Sequence, residues 1–309
     1  MTGDSAGRAV VVDGAGRAVV VDGVLVGPGD AKVSVYDRGF LFGDAVFEVL
    51  RTYGGALFAW GEHFARLQRS AERVFIELPF DGATLRGEIE RGLAAAGNDE
   101  SNVRIVLTRG AGPVTLDPGV ANHPLRVILV EPIPRPPPEL YEAGVAAITV
   151  RTQRSADGTS AAGAKVTNYL EALLAVREAR AQGAQEALIV DARGEVVEGA
   201  TSNVFIAKGL RLATPPVEAG ILAGITRAHI LEVAAAAGIG VDERRLRPEN
   251  LYEADEVFVT SSIRELVPVV RVDGRAIGSG APGPIGRSLH RAFRTAAGVG
   301  DRPMPWEPP

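Results

Sequence analysis

The sequence predicts an α+β protein that is built from two domains, and three observations support this. The chain has 309 residues, more than one typical domain holds and fewer than three domains need. Segments of strand and helix character are mixed without the strict alternation of a doubly wound parallel sheet. A proline-rich run at 131–138 (EPIPRPPP) cannot continue a sheet and favours an extended connector. We therefore expect a small domain at 1–130 and a large domain at 139–309.

The N-terminal half begins with a tandem repeat, AGRAVVVDG at 6–14 and again at 15–23. Two copies are too few for a solenoid, so we interpret the repeat as a lengthened edge strand or tail. Beyond it, apolar residues that alternate predict strands, and apolar residues spaced about 3.6 apart predict helices. The elements expected here are a hairpin at 45–60 that turns at Tyr53-Gly54-Gly55, helices at 62–75 and 85–96, and strands at 103–108 and 126–130.

The C-terminal half mixes strands and helices in the same way. Glycines end its helical patterns and stand at its predicted turns, where they adopt positive φ at little cost. A stretch rich in Ser, Ala and Gly separates the first strand from the first helix. The expected elements are a strand at 145–150, a helix at 168–182 stopped by Gly183, hairpins at 187–198 and 202–212 that turn at Arg193-Gly194 and Lys208-Gly209, a helix at 224–237 and a strand at 256–260.

The composition excludes several classes of function. Hydrophobic residues make up 46% and charged residues 23% of the chain, so a largely disordered chain is excluded. A net charge of −5 gives no basic footprint for nucleic acid, and the lack of cysteine removes disulfides, thiolate zinc sites and cysteine nucleophiles. No apolar run approaches the ~18 residues of a membrane helix, no signal-peptide pattern opens the chain, and the histidines show no metal-ligand spacing. We therefore expect a cytoplasmic, metal-independent protein.

Lysine is rare, which limits any amine chemistry to three positions. Of 33 basic residues only Lys32, Lys165 and Lys208 are lysines. Lys208 stands in a predicted hairpin turn, where a solvated ammonium group is expected, and Lys32 lies in a Gly- and Pro-flanked segment. Lys165 precedes an amphipathic helix, where a solvated surface lysine is the ordinary interpretation and a Schiff-base nucleophile is the functional one.

Two further segments carry groups that complement an amine. Glu198 opens 198–205 (EGATSNVF), where an acid and small residues directly before a strand suit a carboxylate held against a ring nitrogen; a polar turn is the alternative. Residues 222–227 (LAGITR) begin a helix whose backbone N–H groups suit a phosphate; an ordinary helix cap is the alternative. An amine, a carboxylate and a phosphate site together indicate pyridoxal phosphate.

These segments resemble the class IV, fold-type IV pyridoxal-phosphate aminotransferases. That family includes D-amino-acid and branched-chain aminotransferases and has aminodeoxychorismate lyase as a close relative. The similarity runs from about residue 33 to 274. The motifs that carry it are, in order, 37–49 (DRGFLFGDAVFEV), 63–67 (HFARL), Lys165 with Asn168-Tyr169-Leu170, 198–205 (EGATSNVF), 224–227 (GITR) and 256–269 (EVFVTSSIRELVPV).

The resemblance implies a small α/β domain and a larger pseudo-barrel domain, with pyridoxal 5′-phosphate in the domain cleft and a homodimer that completes the site. It implies that Lys165 forms the internal aldimine and shuttles the substrate proton, and that Glu198 pairs with the pyridine nitrogen. Arg66 is expected to clamp the phosphate as a planar fork. The other residues expected to bind the cofactor are Tyr169, Asn203, Ile225, Thr226, and Ser261 or Ser262 near the phosphate or the substrate carboxylate.

The carboxylate-binding residues differ from the familiar ones. The best-known D-amino-acid members of the family use a tyrosine and an Arg-x-His pair, but this chain has Phe47 at the tyrosine position and 112–115 (GPVT) where the pair is expected. The tyrosine of branched-chain members is replaced by Phe42. We therefore expect another cation to bind the carboxylate, Arg104 first and Arg51 second. A solvent-facing strand arginine is the alternative for each.

We expect a transaminase that acts on an amino acid, by preference a D-amino acid, and a 2-oxo acid. The run 38–44 (RGFLFGD), the spacing of three from Lys165 to Asn168, and SNVF are similar to the D-amino-acid group, whereas Tyr169 is similar to branched-chain members. The alternatives are a branched-chain L-amino-acid transaminase, an aminodeoxychorismate lyase, an (R)-amine transaminase, and an inactive relative that only binds the cofactor.

Overall fold

The computed structural model describes residues 15–133, 135–152 and 158–307. The first copy of the AGRAVVVDG repeat, and residues 153–157 of the stretch rich in Ser, Ala and Gly, lie outside the described residues. Contacts divide the chain into two compact units, the first ending at Ile133 and the second continuing from there to the C-terminus. The division falls within the proline-rich run at 131–138.

Unit 1 is a six-stranded antiparallel sheet with helices packed against it. The strand order is β2-β1-β6-β5-β3-β4. In chain order its elements are β1 (Ala18–Val21), β2 (Val24–Val26), α1 (Arg38–Phe42), β3 (Ala45–Tyr53), β4 (Ala56–Leu57), α2 (Trp60–Arg73), α3 (Gly82–Ala96), β5 (Ser101–Thr108) and β6 (Leu125–Pro132).

The structure confirms the hairpin, both helices and both strands predicted in unit 1. The hairpin turns at Gly54 and Gly55, which have positive φ of 61° and 77°, and α3 ends at Gly97 with φ 65°. The second copy of the repeat forms β1, which pairs with β2 on one side and β6 on the other. The expectation of an edge strand is therefore wrong for this copy, because β2 supplies the edge.

Unit 2 is built on a nine-stranded mixed sheet. The strand order is β12-β11-β10-β13-β14-β7-β8-β9, with β15 paired to β14. Its elements are α4 (Glu139–Glu142), β7 (Val145–Arg151), α5 (Leu170–Ala181), β8 (Glu186–Val190), β9 (Val196–Gly199), β10 (Asn203–Lys208), β11 (Arg211–Thr214), α6 (Ile225–Ala236), β12 (Gly240–Glu243), α7 (Pro248–Tyr252), β13 (Glu256–Ser261), β14 (Glu265–Val272), β15 (Arg275–Ala276) and α8 (Pro284–Ala296).

Both faces of the sheet in unit 2 are buried. On β7 and β8, Val145, Ala147 and Leu188 belong to one apolar cluster, whereas the alternate residues Ile148 and Ile189 belong to another. Side chains of successive strand residues point to opposite faces, so the two clusters lie on either side of the sheet. Parallel and antiparallel pairs occur together in this sheet, which confirms the predicted α+β class.

Candidate active site

Glu198 and Asn203 of unit 2 are both hydrogen-bonded to the backbone of one residue, Leu222. Glu198 lies on β9, is half-buried, and its Oε2 accepts a hydrogen bond from the N–H of Leu222 at 3.1 Å. Asn203 begins β10, is buried, and its Nδ2 donates to the carbonyl of Leu222 at 3.0 Å. Two predicted cofactor-binding side chains therefore meet at the segment that leads into α6.

The N-terminus of α6 comes directly after this segment. Gly224 is the capping residue and no side chain caps the helix. Ile225 and Thr226 are buried in the first turn, where backbone N–H groups have no acceptor within the helix. A Cβ at position 224 would overlap Oδ1 of Asn203, so this close approach requires glycine. The N–H groups and the positive end of the helix dipole make this a suitable phosphate site.

Ser261 belongs to the strand that neighbours Asn203. Thr260 pairs with Asn203 in the register of β10 and β13; Ser261 ends β13, and Ser262 begins the turn to β14. Both serines are half-buried. Nearby, the buried hydroxyls of Ser202 and Thr260 have no hydrogen-bond partner among the residues that the structure describes. Buried hydroxyls normally have a partner, so their presence here is consistent with a polar ligand.

The environments of the three lysines differ. Lys32 is exposed. Lys208 points its Nζ at the carbonyl of Glu253 and at Oδ1 of Asp255, at 2.7 and 2.9 Å, on the surface. Lys165 is half-buried in the segment between β7 and α5, four residues before Tyr169, which caps α5 and is also half-buried. Lys165 is thus the one lysine of the three in the described ranges that is partly removed from solvent.

The residues of unit 2 fit pyridoxal phosphate by their chemistry. With the cofactor bound, Glu198 would supply a carboxylate for the protonated ring nitrogen, and Lys165 an amine for the aldehyde. The N-terminus of α6 and the hydroxyls of Ser261 and Ser262 would supply donors for its phosphate. The close approach of Gly224 to Asn203, which a Cβ would prevent, keeps this helix end next to the acid.

In unit 1, Arg66 of α2 forms a buried ion pair with Glu48 of β3. Its Nε and Nη2 donate to Oε1 and Oε2 of Glu48 at 2.7 and 2.8 Å, and Nδ1 of His63 lies 2.8 Å from Oε2. Burial by itself raises the pKa of Glu48, but the hydrogen bonds and charge of Arg66, and then those of His63, lower the pKa to about 2. Glu48 is therefore ionised at neutral pH and fixes the orientation of the Arg66 guanidinium.

Arg104 and Phe47 lie on the opposite face of the sheet in unit 1. Glu48 faces α2, so its neighbours Phe47 and Val49 point the other way, and Val49 pairs with Arg104 of β5. The guanidinium carbon of Arg104 lies 4.2 Å from the centroid of the Phe47 ring, which is a cation–π contact. Phe47 is only 1% exposed and Arg104 is half-buried. The guanidinium of Arg104 therefore lies against the buried Phe47 ring on this face.

Arg51, the second candidate for the carboxylate, lies two residues beyond Val49 on the same strand. Its guanidinium carbon is 4.1 Å from the Tyr53 ring centroid, and its Nε donates to the carbonyl of Thr52 at 3.3 Å. This local arrangement turns Arg51 towards the β3–β4 hairpin.

Sequence reasoning missed Glu48 and His63, which hold Arg66 in place. A signal was present, because His63 and Arg66 are three residues apart on a helix and so share a face. Glu48 is an acid at an inward position of an otherwise apolar strand segment. The role of Leu222 was also missed; it acts through its backbone, which no side-chain pattern reveals.

Two other kinds of feature are lacking in the described ranges. No group of three or more His, Cys, Asp or Glu side chains there is arranged to hold a metal ion. No helix within those ranges has the length and apolar character to cross a membrane.

Over most of its length the chain is similar to known aminotransferases. Residues 45–272 match the family model described as amino-transferase class IV. A protein of Methanocaldococcus jannaschii, provisionally named a branched-chain-amino-acid aminotransferase, is 39% identical over 265 residues, 86% of this chain and 91% of that protein. The D-alanine aminotransferase of Bacillus licheniformis is 35% identical over 272 residues, 88% of this chain and 94% of that one.

A solved structure shows the same fold. The T.th. branched-chain amino acid aminotransferase complexed with N-(5′-phosphopyridoxyl)-L-glutamate matches with a TM-score of 0.85 at 30% identity. The match covers 93% of this chain and 95% of that chain. The fold-type IV prediction is thereby confirmed.

Proposed function

The chain belongs to the class IV aminotransferases, and from that premise we propose that it transfers an amino group between an amino acid, by preference a D-amino acid, and a 2-oxo acid. The observation that carries the proposal is the grouping of Glu198, Asn203 and the N-terminus of α6 around the backbone of Leu222. This grouping offers an acid and a phosphate site side by side.

Pyridoxal 5′-phosphate is the cofactor of this family. When bound, it withdraws electrons from the amino-bearing carbon of the substrate and so makes the proton on that carbon acidic. Nζ of Lys165 would hold the cofactor and carry this proton. The carboxylate of Glu198 would pair with the protonated ring nitrogen, since a close opposite charge favours the charged form. The hydroxyl of Tyr169 would contact the ring oxygen.

The phosphate is assigned to the first turn of α6. The backbone N–H groups of Ile225 and Thr226 and the Thr226 hydroxyl donate to it, and Ser261 or Ser262 adds a further hydroxyl. Arg66 is the proposed cation for the phosphate, and its guanidinium is oriented by Glu48. The guanidinium of Arg66 is already held in one orientation. It therefore loses less conformational entropy on binding than a mobile surface arginine would.

Arg104 is the proposed partner of the substrate carboxylate. A carboxylate that leaves water needs a paired charge, and a guanidinium can donate to both of its oxygens. Arg104 is half-buried and its guanidinium is steadied by the buried ring of Phe47 at 4.2 Å. Arg104 is therefore the first candidate, and Arg51, which is turned towards the β3–β4 hairpin, is the second.

The choice of a D-amino acid is the finer part of the proposal. The motif 38–44 and the SNVF segment support it, and so does the 35% identity to a D-alanine aminotransferase. A branched-chain L-amino-acid donor is the second candidate. It is favoured by Tyr169, by the 39% identity to the Methanocaldococcus protein and by the fold match to the T.th. enzyme.

The test is a comparison of amino donors on the purified holoenzyme. D-alanine, L-leucine and (R)-1-phenylethylamine are mixed with it separately, and conversion of the cofactor to its pyridoxamine form is followed by absorbance. Fastest conversion by D-alanine supports the proposal, and fastest conversion by L-leucine supports the second candidate. Conversion by the amine alone would replace both with an (R)-amine transaminase.

A homodimer is the proposed assembly. Leu170, Leu173 and Leu174 are 68%, 63% and 52% exposed, and their spacing places them on one stripe of α5, immediately after Tyr169. An exposed apolar stripe of this kind is typical of a contact surface. Light scattering on the holoenzyme should give the mass of two chains. The mass of one chain would contradict the proposed assembly.

A further inference from the structure

The turn between β13 and β14 ends at a residue with an unusual backbone. Glu265 has φ 60°, a left-handed conformation that is unfavourable for a residue with a Cβ. It is the first residue of β14 and directly follows the turn 262–264. Such a conformation persists where the surroundings fix it, and it is often found at functional sites.

The side chain of Glu265 is fixed by two residues of α8. Its carboxylate is 2% exposed; Nε2 of His290 lies 2.6 Å from Oε2, and Nη1 of Arg294 lies 3.1 and 3.2 Å from the two oxygens. In the tautomer that carries its proton on Nε2, His290 donates to the Glu265 carboxylate, because a carboxylate accepts hydrogen bonds. His290 and Arg294 are four residues apart and therefore share one face of α8.

Burying these polar and charged side chains is no more favourable than burying apolar side chains of similar volume would be. Nδ1 of His290 and Nε of Arg294 are buried without a hydrogen-bond partner among the described residues, and buried polar atoms without partners are destabilising. Apolar side chains of similar volume are often as stabilising as a buried ion pair. What the polar cluster adds is a defined direction for the Glu265 carboxylate, and hence for the turn that precedes it.

The preceding turn is held at a second point, on Arg264. The hydroxyl of Tyr141 donates to the carbonyl of Arg264 at 3.0 Å, and Nη2 of Arg264 donates to the buried carboxylate of Glu186 at 2.8 Å. Tyr141 also packs on His290, with 5.8 Å between the ring centroids. The two anchoring points are therefore in contact with each other.

The C-terminal segment covers the cluster. The Trp306 ring lies edge-on to His290 at 5.2 Å between centroids, and Nη2 of Arg294 donates to the carbonyl of Pro303 at 3.2 Å. His290 is 0% exposed as a result of this packing. Water is thus kept from the ion pair, which strengthens it.

We propose that His290 and Arg294 act through Glu265 as positioning residues, which hold the turn that begins at Ser262 in the conformation that binds the cofactor phosphate. This rests on the proposed function, in which Ser261 or Ser262 contacts that phosphate. It assigns to α8 and the C-terminal segment, which contribute no group to the proposed site, an effect on cofactor affinity.

The test compares two substitutions of His290 in the apo form of the full chain. His290→Leu removes the donor to Glu265 at similar volume, whereas His290→Gln places an amide N–H where Nε2 lies. Affinities for pyridoxal 5′-phosphate and for pyridoxal, which lacks the phosphate, are measured by fluorescence titration. Thermal unfolding of the apo protein is recorded alongside.

The expected result is a loss of affinity that depends on the phosphate. His290→Leu should weaken binding of pyridoxal 5′-phosphate about tenfold, the effect of losing one charge-assisted contact, and should change binding of pyridoxal less than about twofold. His290→Gln should restore most of the affinity. Wild-type affinity in His290→Leu, with only a lower unfolding temperature, would show that the cluster is structural and would overturn the inference.

Ser262→Ala, and its pair Ser261→Ala, separate this inference from the proposed function. If either substitution weakens phosphate-dependent binding while His290→Leu does not, the phosphate assignment stands and the inference falls. If neither serine affects the binding of pyridoxal 5′-phosphate, the turn is not part of the phosphate site. The assignment of the serines then falls, and the inference falls with it.

Discussion

Replacing Glu48 by glutamine should destabilise unit 1, because the substitution removes the negative charge from a buried ion pair. The Glu48 side chain is fully buried and accepts from Arg66 and His63 at 2.7–2.8 Å. Glu48→Gln keeps the shape but leaves the guanidinium of Arg66 buried without its counter-charge. Breaking a buried ion pair in this way costs about 3–5 kcal/mol, which is a large part of the stability of a typical domain.

The pKa of Glu48 gives an independent magnitude. It falls from 4.5 to about 2 in the folded protein, a lowering worth about 3 kcal/mol. Because the folded-state pKa is the lower one, this stabilisation is present above the unfolded pKa and is lost as the pH falls towards the folded value. The stability difference between wild type and Glu48→Gln should therefore shrink as the pH falls from about 5 to about 2.

Urea unfolding of the apo protein measures both quantities, and an exposed ion pair supplies the control. Glu90 pairs with Arg86 on the surface, with side chains 54% and 55% exposed. Glu90→Gln should change the free energy of unfolding by less than about 1 kcal/mol at any pH. If Glu48→Gln were as mild as Glu90→Gln near pH 7, or if its effect did not diminish in acid, the ion pair would not be the source of stability that the structure indicates.

Three further substitutions test the proposed site. Glu198→Gln should still bind cofactor but slow removal of the substrate proton about 10²-fold or more in single-turnover kinetics; an unchanged half-reaction would assign the role to another acid. Arg104→Ala should lower kcat/KM for D-alanine by a factor of tens to hundreds, about 2–4 kcal/mol, and affect (R)-1-phenylethylamine much less; equal losses on both would make Arg104 structural. Gly224→Ala should displace Asn203 and weaken cofactor binding about tenfold, measured by titration, whereas Gly87→Ala, whose Cβ meets nothing within 4 Å, should leave it unchanged; equal affinities would mean that Asn203 adjusts without consequence.

Periodic patterns made much of the fold predictable from the sequence, but short or interrupted elements were not predicted. Helix α1 has five residues, too few for a helical period; it forms because the Asp37 side chain accepts from the N–H groups of Gly39 and Phe40. Strand β14 was missed because Pro268 interrupts it, and proline normally argues against a central strand. It is tolerated because the pairing of β14 with β7 begins only at Val269.

At the candidate site, the sequence indicated which residues to consider but not the contacts that they make. Motifs proposed Lys165, Glu198 and Arg66 as candidates, because the chemistry of the cofactor restricts the residue types that can serve. The contacts that position them did not follow. Leu222 joins Glu198 to Asn203 through its backbone, and such a link depends on how the segment before α6 folds back against β9 and β10.

Lys165 is the proposed amine that attaches the cofactor and moves the substrate proton. The most direct test is borohydride reduction of the holoenzyme followed by peptide mass analysis, combined with turnover measurements on Lys165→Ala. We expect the cofactor to be fixed to Lys165 in the wild type and to no residue in the variant, with turnover reduced by at least about 10²–10⁴-fold. Attachment at Lys32 or Lys208, or full multiple-turnover activity in Lys165→Ala, would contradict it.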